Sequence, residues 1–172
     1  MSDSSPDRIL GVDPGSLATG IGIVEAKGSK LKLIHTDTIK TNSKQPFADR
    51  LKTIHEGVQA VIEQFDPTAL SLEDIFFATN AKSTIKLGQT RGVILLAGAQ
   101  SNVAIHEYTP LEVKQSIVGY GRADKKQVQA MVMQLLGLKS KPGSLDASDA
   151  LAVAICHLNN FSTKKKLQQA GA

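Results

Sequence analysis

The apolar pattern of the sequence changes near residue 46, and this change limits the folds that the chain can adopt. Before that point, short apolar segments alternate with turn residues, which predicts strands over 9–12, 19–25 and 31–39. Asp13-Pro14-Gly15-Ser16 supplies the first turn. Because successive strands joined by short turns pair antiparallel, the first part of the chain predicts a three-stranded antiparallel meander.

After residue 46, helical and extended segments alternate. The first helix has apolar residues at spacings of three and four, namely Leu51, Ile54, Val58, Val61, Ile62 and Phe65. Strands over 68–72 and 103–108 flank a helix over 82–100, and three more helices follow. Strand–helix–strand units pair in parallel through right-handed crossovers. The order βββ-α-β-α-β-α-α-α therefore predicts an α/β fold: a mixed five-stranded sheet, antiparallel then parallel, with helices on both faces.

Residues typical of helix N-termini mark the starts of the last three helices. Thr109 is a candidate N-cap with Pro110 at the first helical position. Asp124 and Gln127 have the spacing of a capping box. Ser144 is the candidate N-cap of the last helix, which we expect to end near residue 160.

The length and composition predict one globular domain. The 172 residues are 41% hydrophobic and 21% charged, which is ordinary for a chain that buries its own core. We predict a single domain over 1–160 and a mobile basic tail over 161–172, which contains Lys164, Lys165 and Lys166 and no acidic residue. Because this tail holds most of the formal net charge of +4, net charge says little about partners.

The single cysteine, Cys156, excludes an intrachain disulfide and a cysteine-rich zinc site. We expect it to be buried and inert. The polar, acidic N-terminus does not resemble a secretory signal, and the longest apolar run covers only 92–99. Because a membrane span needs roughly 18 apolar residues, we expect a cytoplasmic protein.

Four acidic residues are distinguished by their positions. Asp13 ends the first predicted strand and Glu73 the fourth, while Asp146 and Asp149 share one face of the last helix. If the first and fourth strands are neighbours beneath that helix, the four carboxylates meet at one end of the sheet. Clustered carboxylates repel each other unless cations neutralise them, and an all-oxygen site suits Mg²⁺ or Mn²⁺.

Each of these acids also has an explanation that requires no active site. Asp13-Pro14-Gly15 is a common turn sequence. The helix dipole favours acidic residues in a first turn, which accounts for Asp146 and Asp149, and acids often end strands. From the residues alone both interpretations stay open. If the carboxylates converge, two bound ions could activate a water and stabilise a leaving 3′ oxygen in phosphodiester hydrolysis.

Basic and aromatic residues suggest a nucleic-acid surface. Lys125 and Lys126 occupy the first positions of a predicted helix, whose N-terminus is already partly positive, so they could bind a phosphate or extend into water. Phe76 and Phe77 are adjacent, and in an extended segment one ring would face away from the core. That ring could stack on unpaired bases, or both rings could pack within a loop.

The helix over 82–100 carries a stripe of small and apolar residues: Ile85, Gly88, Gly92, Leu95, Leu96 and Ala99. Small residues allow two helices to approach closely. The stripe could pack on the sheet, or part of it could form a subunit interface. A twofold-symmetric dimer would suit a substrate that is cut symmetrically at two positions.

Four segments closely resemble the bacterial RuvC-type Holliday-junction resolvases and occur in the order of that family. They are GVDPGSLATGIGIVE (11–25), SLEDIFFATNAKSTIKLGQTRG (71–92), EVKQSIVGYGRADKKQVQAMV (112–132) and SLDASDALAVAICH (144–157). The resemblance implies a ribonuclease-H-like fold, a homodimer and metal-dependent nicking of two opposed strands of like polarity at a four-way DNA junction. It implies two Mg²⁺ ions per active site, with Mn²⁺ as a substitute, and a branch-migration complex of the RuvA and RuvB type.

The resemblance also assigns roles to individual residues. The family's catalytic, metal-holding carboxylates match Asp13, Glu73, Asp146 and Asp149. Its substrate-side aromatic matches Phe76, and its DNA-contacting lysines match Lys114 and Lys125. Asp74 is acidic where relatives can have an amide, so its role in the metal site or at the surface stays open.

Three alternatives compete with a junction endonuclease acting in recombination and repair. Asp13-Pro14-Gly15-Ser16 with Thr19-Gly20 is similar to the phosphate hairpin of actin-like ATPases, but those proteins close two such domains around a nucleotide. Another ribonuclease-H-like nuclease, acting on RNA or a hybrid, would use the same chemistry. A non-catalytic junction binder is disfavoured because an acidic cluster without metal repels phosphate.

Overall fold

The structure is a computed structural model and describes residues 7–74 and 80–170. Within these ranges, strands and helices follow in the predicted order. The strands are β1 (Asp7–Asp13), β2 (Ala18–Lys27), β3 (Lys30–Lys40), β4 (Ala69–Glu73) and β5 (Ala104–Tyr108). The helices are α1 (Phe47–Phe65), α2 (Ala81–Gln100), α3 (Pro110–Val118), α4 (Lys125–Leu135) and α5 (Leu145–Ala170).

The five strands form one mixed sheet in the order β3-β2-β1-β4-β5. β1, β2 and β3 pair antiparallel, whereas β4 pairs in parallel with both β1 and β5. The predicted meander, the parallel pairing and the neighbouring first and fourth strands are therefore confirmed. The hairpin between β2 and β3 turns at Gly28, whose φ of 62° favours glycine.

Helices cover both faces of the sheet, as predicted. Residues alternate between the two faces along a strand. Leu10 and Val12 of β1 join one core with α1 and α2, whereas Ile9 joins a second core with α3, α4 and α5. Gly11 and Asp13 therefore belong to the face that α5 covers.

Glycines allow α5 to approach β1 and β2 closely. A Cβ added at Gly11 would lie 1.9 Å from the carbonyl oxygen of Ala150, and one at Gly20 would lie 2.0 Å from that of Asp146. Both atoms belong to the backbone of α5, which cannot move aside as a flexible side chain can. The first turns of α5 are therefore held directly over the ends of β1 and β2.

Capping interactions fix where three helices begin, as the sequence predicts. Thr109 and Glu112 form a capping box at α3, and Asp124 and Gln127 form one at α4. Ser144 Oγ accepts a hydrogen bond from the backbone N–H of Ala147 (3.1 Å). It also shares a 2.7 Å hydrogen bond with the hydroxyl of Thr38 on β3. This second bond ties the start of α5 to the sheet.

The predicted end of α5 near residue 160 is wrong, because the helix continues to Ala170. Residues 161–170 contain neither glycine nor proline, and seven of the ten are lysine, glutamine, leucine or alanine, which favour helix. Glycine first interrupts the pattern at position 171. The division into a domain over 1–160 and a mobile tail over 161–172 stays a prediction.

None of the helices within residues 7–74 and 80–170 is long and apolar enough to cross a bilayer.

We predict that Gly11→Ala destabilises the protein by at least about 1–3 kcal/mol, the usual cost of overpacking, because its Cβ would collide with the backbone of α5. Gln64→Ala, at an exposed position of α1, is the control. A surface substitution of this kind should change the stability by no more than about 0.5 kcal/mol. Urea unfolding of both variants checks this, and equal stability of the two would contradict the close approach of α5.

Candidate active site

Asp13 and Glu73 stand side by side at the carboxyl ends of β1 and β4. The parallel register pairs Val12 with Leu72, so the next residue of each strand is one of these acids. Val12 and Leu72 both join the core beneath α1 and α2. By alternation, the two carboxylates point to the opposite face, beneath α5.

Asp146 and Asp149 lie in the first turns of α5, above the same edge of the sheet. Gly20 permits the backbone of Asp146 to rest on β2. Asp149 accepts a 2.9 Å hydrogen bond from Lys125 Nζ, the first residue of α4. The structure therefore brings together all four acidic residues that the sequence singled out.

At this site the pKa values of Asp13 and Glu73 are both raised. Burial is the largest cause of a rise in the pKa of Asp13 from 3.8 to about 8. The other causes of this rise are the charges of three neighbouring acids, Asp149, Glu73 and Asp146. Burial, and then the charge of Asp149, also raise the pKa of Glu73. The site thus holds more negative charge than its own surroundings compensate.

The donor set fits a divalent cation chemically. All four side chains offer carboxylate oxygens, the ligands that Mg²⁺ and Mn²⁺ prefer. In the described part of the chain, no group of three or more acidic, histidine or cysteine side chains is spaced closely enough to hold an ion as it stands. The charges of Asp149, Glu73 and Asp146 nevertheless reach Asp13 and contribute to its raised pKa.

Lys114 and Lys125, to which the family resemblance assigns DNA contact, border two of the carboxylates, Glu73 and Asp149. Both line a cavity of about 70 Å³ together with Glu73, Asp149, Pro110, Val113, Val128, Ala152 and Val153. The charges of both lysines reach Glu73, because they offset part of the rise in its pKa. The hydrogen bond to Asp149 is in turn the largest cause of a raised pKa of Lys125. Lys126 is exposed and does not line this cavity.

Phe76, the predicted base-stacking residue, lies outside the described residues, as does Phe77. Asp74, which precedes them, donates its backbone N–H to the carbonyl of Tyr108 (2.7 Å). Its carboxylate lies 3.4 Å from Arg91 and is half exposed. It follows Glu73 by one residue and thus belongs to the opposite face of the sheet.

Sequence reasoning missed a buried hydrogen bond that supports the site. Gln129 of α4 donates to the hydroxyl of Ser148 (3.0 Å), which lies between the two acids of α5. Both side chains are buried. The sequence offered a signal only for the burial of Gln129, which lies next to Val128 of the apolar stripe, and none for its partner.

Cys156 and His157 do not belong to the site. Cys156 is fully buried, as predicted, and burial raises the pKa of its thiol to about 11; its inertness stays a prediction. His157 is buried and contacts His106 and Tyr108 of β5.

Similarity to known proteins is extensive in sequence. The family model of crossover junction endodeoxyribonuclease RuvC matches residues 9–157. The crossover junction endodeoxyribonuclease RuvC of Natranaerobius thermophilus is 45% identical over 159 residues, which cover 92% of this chain and 99% of that protein. The one of Syntrophotalea carbinolica is 51% identical over 154 residues, covering 90% and 95%.

Solved structures agree with this similarity. T. thermophilus RuvC in complex with a Holliday junction substrate matches with a TM-score of 0.87 at 35% identity, covering 91% of this chain and 96% of that one. The yeast mitochondrial Holliday junction resolvase Ydc2 has the same fold, with a TM-score of 0.64 at 12% identity, covering 95% and 86%. The predicted ribonuclease-H-like fold is therefore confirmed, and the chain belongs to the crossover junction endodeoxyribonuclease RuvC family.

Proposed function

We propose that this protein is a structure-specific DNA endonuclease that resolves four-way (Holliday) junctions in recombination and repair, by paired nicks in two strands of like polarity. The observation that carries the proposal is a cluster of four carboxylates beside two lysines, in a chain whose family is named for this activity. A relative of the same fold was solved with a Holliday junction substrate.

Asp13, Glu73, Asp146 and Asp149 are the residues proposed to hold the metal, Mg²⁺ by family resemblance and Mn²⁺ as a substitute. Two ions per site would supply an activated water for in-line attack and neutralise charge at the leaving 3′ oxygen. Burial and the neighbouring charges raise the pKa of Asp13 to about 8, so a cation nearby would favour its ionised form.

Lys114 and Lys125 are proposed to bind phosphates of the cut strand, because both border Glu73 in the cavity. Exposed Lys126 would contact a neighbouring phosphate. Phosphate contacts of this kind orient DNA without reading its bases, so junction shape should supply the selectivity. Phe76 stays our prediction for stacking on unpaired bases.

We also propose a homodimer through α2, because part of its small-residue stripe is uncovered. Ile85 and Leu96 are 62% and 49% exposed. A Cβ added at Gly88 or Gly92 would meet nothing within 4 Å. Leu95 departs from the predicted stripe, since it packs against the core beneath α1 and α2. The uncovered face suits a close approach of two copies of α2.

The remaining proposals rest on family resemblance alone. They are a branch-migration complex of the RuvA and RuvB type and a location in the cytoplasm. No described surface is assigned to that complex.

We predict that the wild type makes paired, symmetric nicks in a labelled four-way junction with Mg²⁺, whereas Asp13→Asn binds the junction without cutting it. Loss of a proposed metal-holding carboxylate should reduce the cleavage rate more than the roughly 10–100-fold that loss of an outer-shell partner costs. An RNA–DNA hybrid of equal length is the control substrate. Faster cleavage of the hybrid, or no cleavage with Mg²⁺ or Mn²⁺, would contradict the proposal.

The same substitution should stabilise the metal-free protein. Because the pKa of Asp13 is raised to about 8 in the folded state, wild-type stability falls as the pH rises from 3.8 towards 8. Asparagine does not titrate. In EDTA at pH 8, Asp13→Asn should therefore gain at least about 1 kcal/mol, or about 2–4 °C in Tm, and near pH 4 it should gain nothing. Thermal unfolding at both pH values checks this, and an equal gain at the two would sink it.

We predict that Lys125→Gln and Lys126→Gln each reduce the slope of log K for junction binding against log salt by about one, because each removes one phosphate contact. Only Lys125→Gln should also slow cleavage of bound junction, since Lys125 alone of the two contacts Asp149. Filter binding at several salt concentrations and single-turnover cleavage separate the two effects. Identical cleavage rates for the two variants would refute the special position of Lys125.

We predict that Gly92→Arg converts the dimer into a monomer in sedimentation, where one chain has a mass of 18.3 kDa. The variant should still unfold cooperatively on heating, because a Cβ at this position meets nothing within 4 Å in its own chain. An arginine there obstructs a second copy of α2 without entering the core. Gln64→Arg, at an exposed position of α1, is the matched control and should leave the dimer intact. A wild type that sediments only as monomer at micromolar concentration would rule out this interface.

A further inference from the structure

Arg91 forms an ionic cluster on the face of the sheet opposite the carboxylate site. It rises from α2, and its side chain is only 12% exposed. Its Nη2 lies 3.4 Å from the carboxylate of Asp74 and also donates a hydrogen bond to Glu107. Within the described residues, its Nε is buried without an acceptor. Its two ion pairs therefore determine where the guanidinium lies.

The cluster of Arg91, Asp74 and Glu107 lies next to Glu73 but on the opposite face of the sheet. The register of β4 and β5 pairs Glu73 with Tyr108, and the backbone N–H of Asp74 extends this pairing through a hydrogen bond to the Tyr108 carbonyl. Asp74 follows Glu73, and Glu107 precedes Tyr108. Arg91 therefore bridges the ends of the two strands at the point where β4 presents Glu73 to the other face.

This arrangement holds the end of β4 from two sides. The hydrogen bond from Asp74 to the Tyr108 carbonyl fixes the backbone after Glu73. The ion pair with Arg91 fixes the Asp74 side chain. Hydrogen bonds with a charged donor and acceptor are roughly twice as strong as neutral ones, and partial burial of Arg91 reduces the screening by water. Lysine cannot reproduce the planar guanidinium at such a site, because it presents a single ammonium on a flexible stem.

We propose that Arg91 is a positioning residue for Glu73: by tying Asp74 to Glu107, it fixes the end of β4 and so the place of the Glu73 carboxylate relative to Asp13. The proposal rests on the function proposed above. It also gives Asp74 a role, which is to anchor this strand end rather than to hold metal or to project freely into solvent.

The central variant is Arg91→Lys, which keeps the net charge, so that any change in metal affinity reflects geometry. Three quantities are measured on full-length protein: the single-turnover rate of junction cleavage, the Kd for junction in Ca²⁺, and the Mn²⁺ concentration that gives half of the maximal thermal stabilisation. Outer-shell residues typically change metal affinity or activity by 10–100-fold. We expect the rate to fall roughly tenfold and the Mn²⁺ midpoint to rise several-fold. The Kd should stay within about twofold, because Arg91 faces away from the cavity.

Arg8→Lys is the matched control. Arg8 pairs with Glu25 at 2.7 Å, and it lies at the other end of β1 from Asp13. The Arg8→Lys substitution should leave the cleavage rate and the Mn²⁺ midpoint unchanged. Asp74→Asn is the second variant if Arg91→Lys does not fold, because Asp74 is half exposed. It should shift both quantities in the same direction as Arg91→Lys but by less, because Glu107 still holds Arg91.

Two results would overturn the positioning role. One is that Arg91→Lys and Asp74→Asn both keep the cleavage rate and the Mn²⁺ midpoint of the wild type. The other is an equal loss in Arg8→Lys, which would show only general destabilisation. If the wild type itself cuts no junction, the proposed function fails instead, and the Mn²⁺ midpoint still tests the positioning of Glu73.

Discussion

The contact between α5 and the glycines of β1 and β2 is the constraint on which the carboxylate site depends. At Gly11 and Gly20 the helix backbone lies where a Cβ would otherwise stand. A larger residue at either position would lift the first turns of α5 away from the sheet. Asp146 and Asp149 would then lose their place over Asp13. The close packing of α5 and the grouping of the acids are thus one structural feature.

That grouping has an electrostatic cost, which Lys125 reduces. It contacts Asp149, and its charge offsets part of the rise in the pKa of both Asp13 and Glu73. A DNA phosphate in the cavity would compete with Asp149 for the same ammonium group. Cations bound by the carboxylates would release Lys125 for that phosphate. Metal binding and phosphate binding should therefore support each other, because both relieve the same excess of negative charge.

The sequence predicted those parts of the fold that depend on local pattern. Alternation and turn residues were sufficient for β1 to β3, and capping residues were sufficient for the starts of α3 and α4. The acids could be named because each ends a strand or begins a helix. The hydrogen bond between Gln129 and Ser148 could not be predicted in this way, since it joins two helices whose relative placement only the tertiary fold determines.

The same limit explains why Arg91 was not singled out. It stands on α2 next to Gly92, and nothing in its sequence neighbourhood indicates that its partners follow β4 and end β5. The predicted end of α5 was wrong for a different reason, because a local sequence signal was present but was interpreted incorrectly. Three consecutive lysines suggested a solvated tail, whereas helix propensity carries the chain to Ala170.

α2 connects the proposed dimer with the carboxylate site. One face of this helix carries the uncovered glycines Gly88 and Gly92, and Arg91, three residues after Gly88, flanks that face with its two ion pairs. A helix is stiff over such a short distance, so a displacement at the subunit contact would be transmitted to Asp74 and the end of β4. Paired nicking requires that both sites become competent on the same junction. In the proposed dimer, the same stretch of α2 would contact the partner copy through its glycines and the end of β4 through Arg91, and would so offer a direct mechanical route for that coordination.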